Sequence, residues 1–407
     1  MENDPQLTNP RSQNQQFLVG PSLYLRPVDL DDASTAAIWR AKPFPAPVES
    51  VQDELKQRLE VPGEEEHQNQ LLLICQRDND KPVGSLTLDM DGWRTVDIDL
   101  HLDPLASEER KSSITTEVIG FLIPWLLEER NLMAVSVSDL SNRPIVESKV
   151  QELSGRIAAH HRELYLVDGV RRDRYYYQFF NPIWVEKLGP PDPPEIGLVD
   201  RQVTAPARRS LKIASDHRPD TAYVIGERLY LRPFAPEEGK LVSQWSLEDT
   251  EISYPEGRLI LNAHMYGHMH KDIATKEIPT WIRFAIVLRE TDELIGCNGL
   301  ENVDWVHRTA ETETEIFRPA NRNAGYGTDA KHLLLEYAFE HLGLHMIYSY
   351  VSAKNPRSGF ALKKQGYREA GTFGWDTFSR DGLSGFWTFD LLAAEWRAAR
   401  DAAERDS

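Results

Sequence analysis

The sequence predicts an α/β protein built from two tandem domains, and three observations carry that expectation. The chain has 407 residues, beyond the size at which one hydrophobic core stops growing. The pentapeptide Leu23-Tyr24-Leu25-Arg26-Pro27 recurs letter for letter at Leu229 to Pro233, which points to an internal duplication. The stretch Glu311 to Ala330, ETETEIFRPANRNAGYGTDA, passes from a strand through a glycine loop into a helix.

Within that stretch Glu311, Glu313 and Glu315 alternate, so a strand places them on one face. Pro319 and Asn321 end the strand, and Arg322 to Gly327 form a short loop. Thr328 and Asp329 are of N-cap and first-turn type, which starts the helix there. Ala330 to His341 is amphipathic, with Leu333, Leu334, Tyr337 and Ala338 on one stripe. Strand, glycine loop and helix N-terminus together make an anion cradle: loop amides point outward, the helix dipole is positive, and glycine admits close approach. It is neither a Walker A loop, lacking Gly-Lys-Ser/Thr, nor a G-x-G-x-x-G turn, having only Gly325 and Gly327.

The duplication extends beyond the pentapeptide. Val83-Gly84 matches Ile295-Gly296, Trp93 matches Trp305, Asp99 matches Glu311, Leu132 matches Leu344, and Trp184 matches Trp396, each pair 212 positions apart. The first strands lie 206 apart, so one small length change falls early in the repeat. The expected organisation is a disordered tail over 1–19, domains over 20–188 and 222–400, a linker over 189–221, and a tail over 401–407. Gly189-Pro190-Pro191-Asp192-Pro193-Pro194 is polyproline-prone and Arg201 to Arg218 is basic and polar, as a linker would be. Trp184 and Trp396 are read as core or interface anchors.

Composition sets outer bounds. Apolar content of 41% and charge of 27% are ordinary for a globular protein. A net charge of −18 opposes a nucleic-acid partner and suits cationic amines, or simple solubility. Cys75 and Cys297 sit in apolar strand-like runs and read as buried and reduced. No apolar run reaches membrane-spanning length, and Met1 to Asn14 has no signal-peptide core. A cytoplasmic protein without a membrane segment is expected. His264, His268 and His270 have metal-like spacing, but no carboxylate or cysteine completes a set, so no metal is expected.

Arg322-Asn323-Ala324-Gly325-Tyr326-Gly327 resembles the Arg/Gln-x-x-Gly-x-Gly/Ala pyrophosphate loop of the GNAT acyl-CoA N-acyltransferases. Leu229 to Pro233, Leu294-Ile295-Gly296 with Val303-Asp304-Trp305, Ala310-Glu311, Leu344 to Tyr348, Asn355-Pro356-Arg357-Ser358 and Lys364-Gln365-Gly366-Tyr367 resemble, in order, segments of the RimJ/RimL-like branch. The resemblance implies two GNAT domains, each a mixed, mostly antiparallel sheet flanked by helices. It implies an N-acyltransferase that moves acetyl from acetyl-CoA to a primary amine, either a small molecule or a peptide N-terminus. Transfer would be direct, in a ternary complex, since no cysteine lies near the loop.

The resemblance also assigns roles. Arg322, Asn323, Ala324, Gly325, Tyr326, Gly327 and Thr328 would hold the pyrophosphate. Ile316, Phe317 and Arg318 would face the pantetheine where the strand diverges and frees an amide for the thioester oxygen. Asn355 would hydrogen-bond the pantetheine arm. Glu311, eleven residues before Arg322, stands at the family's base position. Glu313 and Glu315 share its face, and like charges raise a carboxyl pKa. Leu362 occupies the place where many members carry an acidic tyrosine, so Ser358 is the group left near the thiolate; it can equally cap its helix. Tyr367 is read as core.

The 212-residue offset lays Arg110-Lys111-Ser112-Ser113-Ile114-Thr115 on the loop and removes both glycines. The first domain is therefore expected to keep the fold without binding CoA, and Pro124 to kink its helix. A non-catalytic tandem protein that binds acyl-CoA or a partner is the second reading. The duplication is compatible with a monomer, and the oligomeric state stays open.

Overall fold

The computed structural model describes residues 16–35, 46–60, 69–90, 94–103, 106–139, 144–192, 205–235, 237–248, 278–379 and 382–405. Trp93, Asn142, His264, His268, His270 and most of the N-terminal tail lie outside these residues. The chain divides into two compact units: Met1–His160 with Asp173–Pro191, and His161–Arg172 with Asp192–Ser407. No helix among the described residues is long and apolar enough to cross a membrane.

The first unit begins with strands β1 (Leu18–Val19) and β2 (Leu23–Pro27), followed by helix α1 (Val48–Glu60). Strands β3 (Asn69–Gln76), β4 (Pro82–Met90) and β5 (Thr95–Leu102) follow. Helix α2 (Glu108–Pro124) comes next, then β6 (Ala134–Asp139), α3 (Pro144–Glu152), β7 (Arg156–Val167) and β8 (Val170–Phe180), of which His161–Arg172 belong to the second unit, and α4 (Pro182–Leu188). Strands β1 to β5 pair antiparallel in sequence order, β5 pairs parallel with β6, and β6 pairs antiparallel with β8. Leu25, Leu86, Val118, Leu122, Val135 and Phe179 form its core, each fully shielded from solvent.

The second unit runs through β9 (Val224–Ile225), β10 (Leu229–Arg232), α5 (Glu238–Glu248), β11 (Ile282–Leu288), β12 (Leu294–Asp304) and β13 (Thr309–Ile316). It continues with α6 (Tyr326–Glu336), β14 (Met346–Ser352), α7 (Pro356–Lys364), β15 (Arg368–Ser379), β16 (Gly382–Leu392) and α8 (Ala393–Arg405). Strands β9 to β13 are antiparallel neighbours, β13 runs parallel to β14, and β16 lies antiparallel between β14 and β15. The sheet is thus mixed and mostly antiparallel, as expected. Helix α6 packs its apolar stripe on one face: Ala330, Leu334 and Leu335, with Ala338 just beyond its end, are fully buried beside Leu300, Ala310 and Ile347. Trp396 of α8 closes the same core, and Cys297 is buried and free, as is Cys75 of the first unit.

Several expectations need correction. Helix α6 starts at Tyr326, two residues before Thr328, because Gly325 takes the N-cap position itself with φ of 81°. Pro124, expected to kink its helix, is the last residue of α2, and the chain passes directly into a π turn at Trp125–Glu129. The second unit makes the same π turn at Tyr337–His341 without a proline, so proline is not its cause. Residues expected as linker pack onto the second unit. Ala207 is buried in its core, and the Ser210 hydroxyl donates to Glu336 of α6 at 2.6 Å. Finally, Asp97, not Asp99, is the register counterpart of Glu311. Asp97 faces Asp89 as Glu311 faces Glu301, because two more residues separate the second pair than the first and β12 shifts register between Glu301 and Asp304.

Candidate functional site

The site grows from the place where β13 and β14 part. Their pairing covers only Thr309↔Met346, Ala310↔Ile347 and Glu311↔Tyr348. Beyond it the Ser349 hydroxyl still reaches the Thr312 carbonyl at 3.1 Å, and the Tyr367 hydroxyl meets the Thr312 hydroxyl at 3.1 Å. On its other edge β13 stays paired with β12 through Gly296↔Ile316, and the Phe317 amide donates to the Ile295 carbonyl at 3.0 Å. Backbone direction alternates along a strand. The amides of Thr312, Thr314 and Ile316 therefore face the β14 side, where the ladder has ended.

At the end of β13 the chain turns through Pro319–Asn321 into the cradle. Asn323 and Gly325 both stand at left-handed φ, 64° and 81°. Asparagine tolerates that region and glycine enters it freely. The N-cap glycine offers no side-chain oxygen to the first turn of α6. Only the amides of Thr328 and Asp329 return to the Gly325 carbonyl, each at 3.1 Å. The Tyr326 and Gly327 amides are left at the positive end of the helix, pointing outward. Arg228 holds the loop from outside. Its guanidinium donates to the Ala324 carbonyl at 2.9 Å, pairs with Asp329 at 2.6 Å and stacks on the Tyr326 ring at 4.8 Å.

Arg322 turns inward. Its Nε donates to the Ile316 carbonyl at 3.1 Å and its Nη2 to the Phe317 carbonyl at 3.0 Å, so it braces strand against loop. Arg322→Met is accordingly expected to lower Tm by about 6–12 °C, the scale of ~3 kcal/mol for two charge-assisted hydrogen bonds. Thermal melts with and without acetyl-CoA check this. Phe317 is buried against Trp245 and Phe234, so only its backbone is available to a ligand. Arg318 is exposed, stacked on Trp245 at 5.7 Å. Asn355 caps α7: its Oδ1 accepts from the Ser358 amide at 3.3 Å. The capping role considered for Ser358 thus belongs to Asn355, and Ser358 sits in the first turn, half-buried. Leu362 and Tyr367 are core residues.

Glu311 lies at the head of the gap. It accepts from the Asn302 side chain at 3.3 Å and from the Tyr350 amide. Burial pushes its carboxyl above the usual carboxylate range, although these bonds oppose the shift. Glu313, two residues on, pairs with Arg283 of β11 at 3.0 Å. Glu315 is exposed.

Two groups were not singled out in the sequence. Glu301 of β12 lies directly across from Glu311. Burial, then Glu313 and Glu311, pushes its carboxyl up to about 7. Lys331 of α6 is buried, 4% exposed, and burial pushes its ammonium down to about 7 against the pull of Glu313 and Glu311. Lys331 could have been found: it stands three before Leu334 and four before Leu335, on the stripe that faces the core. Glu301 needed the hairpin register, which the sequence does not print.

Residues 228–368 match the family model of the acetyltransferase (GNAT) domain. An uncharacterized N-acetyltransferase, YnaD, of Bacillus subtilis (strain 168) is 27% identical over 156 residues, 37% of this chain and 85% of that protein. The spermidine N(1)-acetyltransferase of Vibrio cholerae is 28% identical over 131 residues, 32% of this chain and 68% of that protein. A solved structure of the Vibrio cholerae spermidine N-acetyltransferase with CoA and spermine aligns at 20% identity with a TM-score of 0.38, covering 42% of this chain and 99% of that one. The second unit thus carries a GNAT acetyltransferase domain, and the chain is an enzyme of the acetyltransferase class, with an acyl-CoA as cosubstrate.

Proposed function

We propose that the second unit transfers acetyl from acetyl-CoA to a primary amine by direct attack in a ternary complex, as a RimJ/RimL-like member of the family. The observation that carries this is the conjunction of an uncapped helix N-terminus, an opened strand pair and a buried glutamate at its head. The outward Tyr326 and Gly327 amides suit a pyrophosphate. The gap between β13 and β14 suits the pantetheine, with a β13 amide donating to the thioester oxygen as it gains charge. Glu311 takes a proton from the acceptor ammonium. The nitrogen then bonds to the carbonyl carbon, the C–S bond breaks, and the second ammonium proton goes to the leaving sulfur near Ser358. A small cationic amine is the favoured acceptor, from the net charge of −18 and the spermidine-acetylating relative.

We further propose that the first unit is a duplicated copy that has lost CoA binding. Shared detail supports the duplication. Arg26 pairs bidentately with Asp32 as Arg232 does with Glu238. Tyr24 donates to Asp80 as Tyr230 does to Asp292. The cradle is what differs. Helix α2 begins at Glu108, so Arg110 to Thr115 are helical, and their amides are spent in the helix. Ser107 caps it, accepting from the Arg110 amide at 3.2 Å. Strands β5 and β6 stay paired through Asp99↔Ser138, where Arg174 and Ser138 both donate to Asp99.

Calorimetric titration with acetyl-CoA is the test, followed by a screen of primary amines that includes spermidine. One site per chain is expected. Two sites would sink the degenerate reading of the first unit, and none would sink the assignment of the second.

A further inference from the structure

The mechanism above uses Glu311 and leaves Glu301, Glu313 and Lys331 without a role. Resting on that reading, we propose that Glu301 and Glu313 form a pair behind Glu311 that holds at most one proton, and that the ionised pair takes up the proton Glu311 removes from the acceptor before passing it to solvent.

The argument begins with register. Glu301 faces Glu311 directly and Glu313 on the diagonal, distances at which side chains on one sheet face interact. Glu301, Glu311 and Glu313 thus crowd three carboxyl groups onto one face, and a carboxyl beside two like charges holds its proton more tightly. Arg283 of β11, nearly buried, pairs with Glu313 at 3.0 Å. With that cation on Glu313, the proton of the pair belongs on Glu301, which can then donate to Glu313. Its half-buried setting and the two neighbouring glutamates make its proton hard to lose, and burial is the largest of these effects.

The groups facing the pair are these: Arg283 from β11, Glu311 and exposed Glu315 from β13, the Tyr350 amide and Asn302 on Glu311, and Lys331 from α6. Lys331, buried in α6, feels the charge of Glu313 and Glu311. It steadies the cluster's negative charge whenever it is itself protonated.

The proton count closes. An ammonium acceptor loses two protons in becoming an amide. One goes to the CoA sulfur as the C–S bond breaks. The other goes to Glu311 before attack, moves to the Glu301–Glu313 pair once the pair has released its own proton, and then leaves to water. The pair must therefore be unprotonated at the start of each turnover. Activity should rise with pH through the value at which Glu301 ionises. Glu301 and Glu313 act here as positioning residues, since they reach the acceptor only through Glu311.

Two readouts test this on the full chain. The first needs no acceptor: the carboxyl carbons of glutamate are labelled with 13C and titrated by NMR, with Glu301→Gln and Glu313→Gln used for assignment. Glu301 should titrate near pH 7 and fall back by more than one pH unit in Glu313→Gln. A Glu301 titration in the ordinary carboxylate range, or one unmoved by Glu313→Gln, would overturn the shared proton. The second is the pH profile of kcat/KM with spermidine, or with any amine the screen yields. Glu301→Gln should lower kcat about tenfold or more, displace the acidic limb by more than one pH unit, and leave KM for acetyl-CoA within twofold. An unchanged profile would overturn the relay while leaving Glu311 as base. Loss of activity in Glu301→Gln with an undisplaced limb would make the residue structural and overturn it equally. Glu313→Gln repeats the measurement should Glu301→Gln fold poorly. The base assignment itself fails separately, if Glu311→Gln keeps full activity while the Glu301–Glu313 coupling persists.

Discussion

Gly325→Val should weaken acetyl-CoA binding at least a hundredfold while leaving the domain folded. Two costs combine. Gly325 stands at φ of 81°, a conformation that costs an L-residue about 1–2 kcal/mol and a β-branched one more. A Cβ added there would also lie 3.1 Å from the Arg228 Nη2, tighter than a comfortable contact. The valine methyls would push on the guanidinium that holds the Ala324 carbonyl and stacks on Tyr326. The cheapest relief is for residue 325 to leave the left-handed region. That rotates the Tyr326 and Gly327 amides away from the helix end. With about 1.4 kcal/mol per tenfold in affinity, losing two charge-assisted hydrogen bonds of ~1.5 kcal/mol each gives roughly a hundredfold. Gly325→Ala carries the conformational part and the Cβ contact but lacks the valine methyls, and should cost about tenfold. Calorimetry on the three proteins checks the grading. Binding by the valine variant within threefold of the parent would show that the pyrophosphate sits elsewhere.

The same glycine shows what a sequence discloses. Loop and helix were legible from Arg322 to Gly327, because backbone chemistry follows from residue type: glycine permits the turn, and a helix start supplies amides. The lack of both glycines in the first unit was legible too, since Ser113 and Thr115 stand 212 positions before Gly325 and Gly327. The local structure there is not a loop, however. Residues 110–115 are not a poor loop but the first turns of a longer helix, capped by Ser107. Long-range register was not legible. A constant offset pairs Asp99 with Glu311, yet two extra residues between Glu301 and Glu311, with a register shift in β12, make Asp97 the counterpart. Glu301 stayed hidden because its meaning lies across a hairpin, and Arg283 because it acts from a third strand. Side-chain capping also redirected roles: Asn355 spends its carbonyl oxygen on α7, and Phe317 turns into the core.

Glu311→Gln should lower kcat by about two to three orders of magnitude with acetyl-CoA affinity unchanged. The size follows from the acceptor. An alkylammonium has a pKa near 10.4, so about one molecule in a thousand is neutral at pH 7.4. An enzyme without a base must wait for that fraction, which costs roughly a thousandfold, within the range measured for lost general bases. Such a variant should gain about tenfold in rate per pH unit until the amine itself is neutral, whereas the parent levels off once its carboxyls are ionised. Stability separates this from a folding defect. Burial holds the Glu311 carboxyl above its ordinary range, so between the unfolded and folded values the native state binds the extra proton. Its stability contribution therefore falls as pH rises through that window, and above it the buried anion is a standing cost. Glutamine keeps the shape and can still accept from the Asn302 side chain and the Tyr350 amide without that cost. The variant should melt no lower than the parent at pH 8. A variant that is inactive and also melts several degrees lower would assign Glu311 to the scaffold; one that melts normally and turns over normally would move the base to another of the clustered glutamates.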